Sequence, residues 1–568
     1  MLDVLLTTEG TYPYHRGGVG TWCDLLVQRM EGVNYHVFAV IATPFVPMRF
    51  KLPKSVVGLH SVPLWGTEEP TEHLDLPYSV VYDRKLRTTS SVIRTEFLPL
   101  FERMLQQLWQ PEPSGEVVAQ TTWQMHKFFQ RYDYLEAMKS EEVWNYYKTS
   151  AIRRAQLGLG PQPSVRDLLQ GLGWMYRFFT ILTSPVPRAD VSHASAAAFC
   201  ALPAMIAKLA YGTPLLLTEH GIYLREQYLS IGKSELSPFS KNFLLGLVGA
   251  VTRATMWAAD LVAPVAAYNF RWESRLGVPE KRFQVIYNGV DPSVFVPKPR
   301  PDGAPLTVVS VARVDPIKDQ ETLMRAAVIV RQKMPEVKFV VYGGISVEHY
   351  YQRLLALRKE LGLEESFIFA GHTANVAAAY QSGDVIALSS ISEGFPYGVV
   401  EAMMSGRPVV STDVGGTSEA LGGLGILVPP QDPEAMARGI LELLGDPQLR
   451  RQLADEAHER ALTYFTVGRQ IELYKRAYER LSRGRRVFAL PEVVRLRLER
   501  AEALLLVGSA AAAIEQLTAA LQADPGGPAA PLILLKLAQA QLLRGNVDGA
   551  LLEMEKAEAL SLVLSDVA

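Results

Sequence analysis

Cysteine is almost missing from this chain. Its 568 residues include two, Cys23 and Cys200, too few for a disulfide framework, and such sparing use points to a reducing compartment. An excess of charge of one sign is missing as well. The 57 Lys+Arg stand against 59 Asp+Glu, a formal net charge of -2, which argues against an electrostatically driven nucleic-acid binder. No apolar run reaches the ~18 residues of a membrane span. The nearest, Phe243 to Val251, is stopped by Arg253. The opening Met1-Leu2-Asp3-Val4-Leu5-Leu6 has no basic n-region, so no signal peptide is expected and a cytoplasmic protein is. No Asp-x-Asp pair occurs, so a carboxylate-held Mg or Mn is not expected, and the ten histidines show no ligand spacing. A Gly-x-Ser-x-Gly elbow is also lacking. Gly232-Lys233-Ser234 ends like a phosphate loop, but Gln227 stands where that loop needs its first glycine.

What is there is a globular chain. Hydrophobic residues make up 48%, too many for disorder, and the length suggests two to four domains. Asp3 to Leu6 reads as a buried strand entering a loop, Gly10 to Gly20, that ends in Gly17-Gly18-Val19-Gly20. Helical spacing follows from Thr21 to Val27. Strand, glycine-rich loop and helix open a doubly wound unit. From about 45 to 187 the pattern becomes helical and aromatic, over Glu96–Trp109, Val117–Tyr132 and Ser164–Leu182, and reads as an insertion. Strands resume at Asp190–His193, Leu215–Thr218, Leu261–Ala263 and Phe283–Ile286. Past a Pro/Gly-rich linker near Asn288–Pro305 come six short apolar runs: Leu306–Val311, Lys338–Tyr342, Phe367–Phe369, Val385–Leu388, Pro408–Ser411 and Gly425–Val428. Apolar strands alternating with helices predict parallel sheets covered on both faces. The expectation is an α/β chain with a first domain over 1–287 and a second over 288–484. An all-α tail over 487–568 follows, in which Gly508/Ala513 recur as Gly545/Ala550, with Asp524-Pro525-Gly526-Gly527 as the break. The shift, 545 − 508 = 37, suggests two tetratricopeptide-like hairpins.

The densest chemistry lies at Ser392-Glu393-Gly394-Phe395-Pro396-Tyr397-Gly398-Val399-Val400-Glu401, after the strand Val385–Leu388. Pro396 suits a helix start, and amides there suit a phosphate or sugar hydroxyl. Glu393 precedes that helix and Glu401 lies about two turns into it, so both carboxylates can line one edge of a cleft. Taken alone, the spacing favours a capping glutamate and a surface one; the neighbouring cations reverse that. Arg313 ends the first strand of the second domain and Lys318 follows five residues later, facing the same cleft. Two cations with the amides of Gly394–Gly398 and of Gly17-Gly18 would neutralise a diphosphate without metal. His220 ends a first-domain strand beside Gly221; a lone histidine is usually structural, but this placement turns it toward the cleft.

These motifs resemble retaining glycosyltransferase family 4. Glu393 to Glu401 is similar to its E-x7-E motif. Val285 to Asp291, with Phe295 and Pro297, resembles its domain linker, and Val311 to Lys318 its Arg/Lys phosphate loop. Phe465-Thr466-Val467 to Tyr474 and Tyr478 resembles the crossover helix that returns to the first domain. Glu9 to Tyr14, Arg16-Gly17-Gly18-Val19 and Thr218 to Tyr223 resemble PelF-like exopolysaccharide glycosyltransferases, as does the helical insertion; the tail departs from them. The resemblance implies a GT-B fold of two Rossmann-like domains. It implies a retaining, metal-independent transferase that moves a hexose or N-acetylhexosamine from a nucleotide sugar, UDP-linked, to a glycan or lipid-linked acceptor. No cofactor is expected, since the nucleotide sugar is the substrate. Arg313 and Lys318 would bind the diphosphate, and Glu401 the ribose. Glu393, with the backbone of Gly394, Phe395, Pro396 and Tyr397, would bind the donor sugar. His220 would lie at the reaction centre and Gly17-Gly18 beside the phosphates. Protein partners bound through 487–568, and a place at the cytoplasmic face of the inner membrane on a membrane complex, are further expectations. A sugar-nucleotide epimerase and an inactive scaffold binding partners through the tail are the competing readings.

Overall fold

The computed structural model describes the chain except residues 68, 70, 75, 302, 487–491, 507, 524, 526–528 and 566–568. It forms two compact units, Met1–Tyr478 and Glu479–Ala568. Within the first unit are two sheets, both wholly parallel among the described residues. Strands β1 (Leu2–Glu9), β2 (Val33–Ile41), β3 (Val56–Pro63), β4 (Val191–Ala194), β5 (Leu215–Glu219) and β6 (Leu261–Pro264) lie in the order β3-β2-β1-β4-β5-β6. Strands β7 (Thr307–Val311), β8 (Lys338–Tyr342), β9 (Phe367–Gly371), β10 (Val385–Leu388), β11 (Val409–Thr412) and β12 (Ile426–Val428) lie in the order β12-β11-β10-β7-β8-β9. Counted from its own first strand, the second sheet repeats the order of the first. Strand order therefore reverses at β1/β4 and at β7/β10, where the carboxyl ends of parallel strands leave room for a ligand.

The apolar runs become strands because both faces are covered. Every residue of β4, β5, β6, β10 and β11 is buried. Two departures from the sequence reading concern the first sheet. Val56–Pro63 falls inside the stretch read as helical (45–187) yet pairs with β2, so the helical part begins beyond it. Phe283–Ile286 is apolar but forms no strand; it meets β6 at a single bridge between Val262 and Phe283, with Gln284 and Ile286 donating to Val262 and Pro264.

The inserted helices include Leu98–Leu108, Gly115–Phe129, Glu141–Gln156 and Val165–Phe178. Ser114, Ser140 and Ser164 cap the last three, each accepting an N–H in the first turn. Their aromatic content makes one cluster: Phe97, Phe101 and Phe129 are fully buried, and Phe97 lies 5.0 Å from Phe128 between ring centroids. Truncating one of these rings to alanine costs about 3–5 kcal/mol.

The helix Val467–Arg486 returns to the first domain. The Tyr478 hydroxyl lies 2.6 Å from His193 Nδ1, His193 Nε2 lies 2.8 Å from Thr218 Oγ1, and the Tyr474 hydroxyl lies 3.1 Å from that same oxygen. The second unit holds the helices Glu492–Leu506, Ala510–Ala523, Ala530–Leu543 and Val547–Ser565. Gly508 and Gly545 share φ +76°, a left-handed turn that glycine adopts freely, at equivalent places in its two helical hairpins. The proposed tail boundary at 487, and Asp524, Gly526 and Gly527 of the break, lie outside the described residues.

Candidate active site

The second domain supplies two charged groups that meet. Lys318 ends the short turn Pro316–Lys318, which Asp315 caps through Ile317 N–H at 3.1 Å. Asp319 then turns the chain at φ +46° and caps the next helix through Thr322 N–H at 3.3 Å. An aspartate tolerates that left-handed geometry better than most residues. Lys318 Nζ donates to Glu393 Oε1 at 2.6 Å, and Ser390 Oγ donates to the same oxygen at 2.6 Å. Their side chains are 21% and 14% exposed. Arg313 stands apart from this pair. Its side chain is 64% exposed, bonds Ser346 Oγ at 3.0 Å and lies 3.7 Å from Asp315. Gln320 holds the Arg313 carbonyl at 2.8 Å.

The helix begins at Tyr397, with Pro396 as its N-cap, so Glu401 sits just over one turn inside it rather than two. Glu401 accepts the Tyr380 hydroxyl at 2.8 Å, and burial pushes its carboxyl up to about 7. Phe395 turns its ring inward, 5.4 Å from Tyr287 and 5.5 Å from Phe465 between centroids, leaving only its backbone for a ligand. Tyr397 carries a buried hydroxyl without a partner among the described residues.

The first domain closes on this loop. A Cβ on Gly394 would collide with the His220 carbonyl oxygen. Burial lowers the His220 imidazole to about 3, so it is neutral, and its Nε2 is buried without a partner among the described residues. Trp22 packs edge-on against it at 4.7 Å. At Gly17 a Cβ would meet nothing within 4 Å, and at Gly18 only Tyr397 at 4.0 Å. Gly20 is the glycine the fold itself requires, since a Cβ there would strike the His15 carbonyl.

The sequence reading missed the acids beneath the first-domain edge. Glu9, last residue of β1, accepts Cys200 N–H at 3.2 Å and the Tyr223 hydroxyl at 3.0 Å. Glu219, last residue of β5, accepts Ala197 N–H at 2.6 Å and Tyr223 N–H at 3.4 Å. Burial raises both, Glu219 to about 8. The signal was a glutamate ending each strand next to the turn. Glu419 was also missed; it reaches Ala267, Tyr268 and Tyr287 from the other domain. Among the described residues no group of three His, Cys, Asp or Glu is placed to hold a metal, and no helix is long and apolar enough to cross a membrane.

Two parallel sheets of like order, meeting where the Gly394 loop approaches His220 and tied by a returning helix, make the GT-B fold, and solved structures of that fold match the chain. A sucrose-phosphate synthase from Thermosynechococcus elongatus superposes with a TM-score of 0.54 at 18% identity, covering 85% of this chain and 99% of that one. HepE from Anabaena, in complex with UDP and glucose, superposes at 0.50 with 16% identity, covering 84% and 99%. Residues 305–446, which hold Arg313, Lys318, Glu393 and Glu401, match the family described as Glycosyl transferases group 1. Residues 2–281 match a domain of unknown function, DUF3492. A D-inositol 3-phosphate glycosyltransferase from Salinispora arenicola is 30% identical over 300 residues, 48% of this chain and 65% of that protein. EpsD of Bacillus subtilis is 34% identical over 157 residues, 27% and 40%. A D-inositol 3-phosphate glycosyltransferase from Corynebacterium urealyticum is 30% identical over 216 residues, 34% and 51%. The chain thus spans about half the length of these relatives.

Proposed function

We propose that the protein is a retaining glycosyltransferase of family 4, PelF-like, that moves a hexose or N-acetylhexosamine from a UDP-sugar to a glycan or lipid-linked acceptor in exopolysaccharide synthesis. The observation that carries the reading is the Lys318–Glu393 pair at the β7/β10 switch point, with Arg313 two residues past the end of β7. HepE, whose structure holds UDP and glucose, shares the fold and supports UDP as the nucleotide. The leaving group is a nucleotide diphosphate, and stabilising its growing charge is the main catalytic task. Arg313, Lys318 and the amides at the start of the Tyr397–Met404 helix would do this without metal. Glu401 would hold the ribose hydroxyls, and Glu393 with Gly394–Tyr397 the sugar. The bond from the anomeric carbon to the phosphate oxygen breaks as the bond to the acceptor oxygen forms on the same face. The acceptor proton passes to the departing phosphate. His220, neutral, would contribute a hydrogen bond rather than a charge. The tail over 487–568, tetratricopeptide-like, would bind partners at the cytoplasmic face of the inner membrane.

Radiolabelled nucleotide sugars test this in excess chelator. Transfer or slow donor hydrolysis supports it. Epimerised sugar would make the protein an epimerase, no turnover a scaffold, and a requirement for added Mg or Mn would overturn the metal-free reading.

A further inference from the structure

Glu419 belongs to the second domain yet bonds the first. It stands on the short helix Thr417–Leu421, just after Gly415-Gly416. Its carboxylate accepts Ala267 N–H at 2.8 Å and Tyr268 N–H at 3.2 Å, beyond the end of β6, and the Tyr287 hydroxyl at 2.7 Å. Ala267 and Tyr268 open the turn Ala267–Asn269, whose leading N–H groups have no partner inside the turn. Arg460 fixes the other end, donating to the Glu419 carbonyl at 2.9 Å and the Ala420 carbonyl at 3.0 Å. Next to this contact Gly416 donates to the Gly394 carbonyl at 3.0 Å. A Cβ on Gly416 would stand 2.9 Å from the Ala266 methyl, which shows how closely the two domains meet there. An acidic residue in a first helical turn usually serves its own helix; this one reaches N–H groups about 150 residues away in the chain.

We infer that Glu419 is a positioning residue that fixes the first domain, and with it the His220–Gly221 edge, over the Glu393–Gly394 loop. It acts through Ala267, Tyr268 and Tyr287 and touches no substrate. The inference rests on the proposed transfer reaction, because register between the two sides of the cleft matters where donor and acceptor must meet within reacting distance.

Three variants test it: Glu419→Ala, Tyr287→Phe and Ala267→Pro. The last removes one N–H from the opposite domain and puts a ring carbon in its place against the Glu419 carboxylate. Ala266 is extended (φ -153°, ψ 142°), as a residue before proline must be, and proline suits the first position of a helical turn. In Glu419→Ala, kcat should fall about 10- to 100-fold, the scale of lost charge-assisted bonds, while the calorimetric dissociation constant for UDP stays within about twofold. Ala267→Pro should show the same split between turnover and binding, and Tyr287→Phe a smaller one. The double variant Glu419→Ala/Ala267→Pro should be no worse than Glu419→Ala alone. The radius of gyration from small-angle scattering should rise in Glu419→Ala. UDP affinity falling in step with kcat, or full turnover in Ala267→Pro, overturns the inference. Wild-type protein that turns over no nucleotide sugar overturns the proposed function instead. The scattering comparison then decides this inference alone, an unchanged radius refuting it.

Discussion

Lys318 is already engaged, so a diphosphate drawn to it must share it with Glu393 or displace that carboxylate. Glu393→Gln should therefore leave UDP affinity unchanged, or up to about tenfold tighter, while turnover falls, because one negative charge leaves the site. Lys318→Ala should weaken UDP binding about 10- to 150-fold, the worth of a charge-assisted contact of ~1.5–3 kcal/mol. Arg313→Ala should cost less, since its side chain is 64% exposed against 21% for Lys318, and solvent screens it. Calorimetric titration with UDP ranks the three, and a larger loss at Arg313 contradicts the assignment. The buried acids set a second expectation. Burial holds Glu401 at about 7, Glu219 at about 8 and Glu273 at about 9, the last with neither carboxylate oxygen partnered among the described residues. Each binds its proton more tightly folded than unfolded, so its stability is full below about pH 4.5 and is lost as pH rises through the folded value. Melting temperature should fall between about pH 5 and 9. Glu273→Gln should flatten that fall by a few kcal/mol, being neutral in both states; an unaltered slope refutes the buried-acid account.

The glycine-rich loop and the strand ends show how a local element divides between fold and ligand. Gly20 serves the fold, whereas Gly17 faces open space in an extended conformation (φ -173°) that any residue adopts. Gly17 is the N-cap of the helix Gly18–Arg29, where alanine is the poorer cap, so Gly17→Ala should melt no more than about 4 °C below the parent. If the diphosphate lies against this loop, turnover in Gly17→Ala should still drop, on the order of tenfold. A melting temperature that falls further than that would make Gly17 structural. The same division explains what the sequence made legible. The second sheet's strands were readable because each is a short, mainly apolar run, and β10 and β11 are buried on both faces. In the first sheet, β2 carries Asn34, Tyr35 and His36, and β3 is a half-exposed edge strand containing Gly58, so neither shows a continuous apolar signal. Phe283–Ile286 shows the reverse case, an apolar run lying against β6 with a single bridge. Arg313, Lys318, Glu393 and Glu401 were legible through local spacing. The pairing of Lys318 with Glu393 was not, and neither was Glu419, because both depend on contacts between distant segments.

At the scale of the whole molecule, both sheets lie within Met1–Tyr478, the unit that includes the returning tyrosines. Truncation after Gly484 should leave donor hydrolysis within about twofold of the full chain, whereas truncation before Tyr474 should abolish soluble expression by exposing His193 and Thr218, buried polar groups that keep each other but lose their tyrosine partners. Insoluble or inactive protein from the first truncation would make the tail part of the enzyme. The returning helix also sets an order of events during synthesis. His193 waits for Tyr478, 285 residues downstream. At roughly 5–20 residues per second, the ribosome holds the first domain unfinished for roughly 15–60 s while the whole of the second emerges. The domain made first is thus the last to be completed, and any nascent chain released early carries an open seam along β4 and β5 that a quality-control system can recognise.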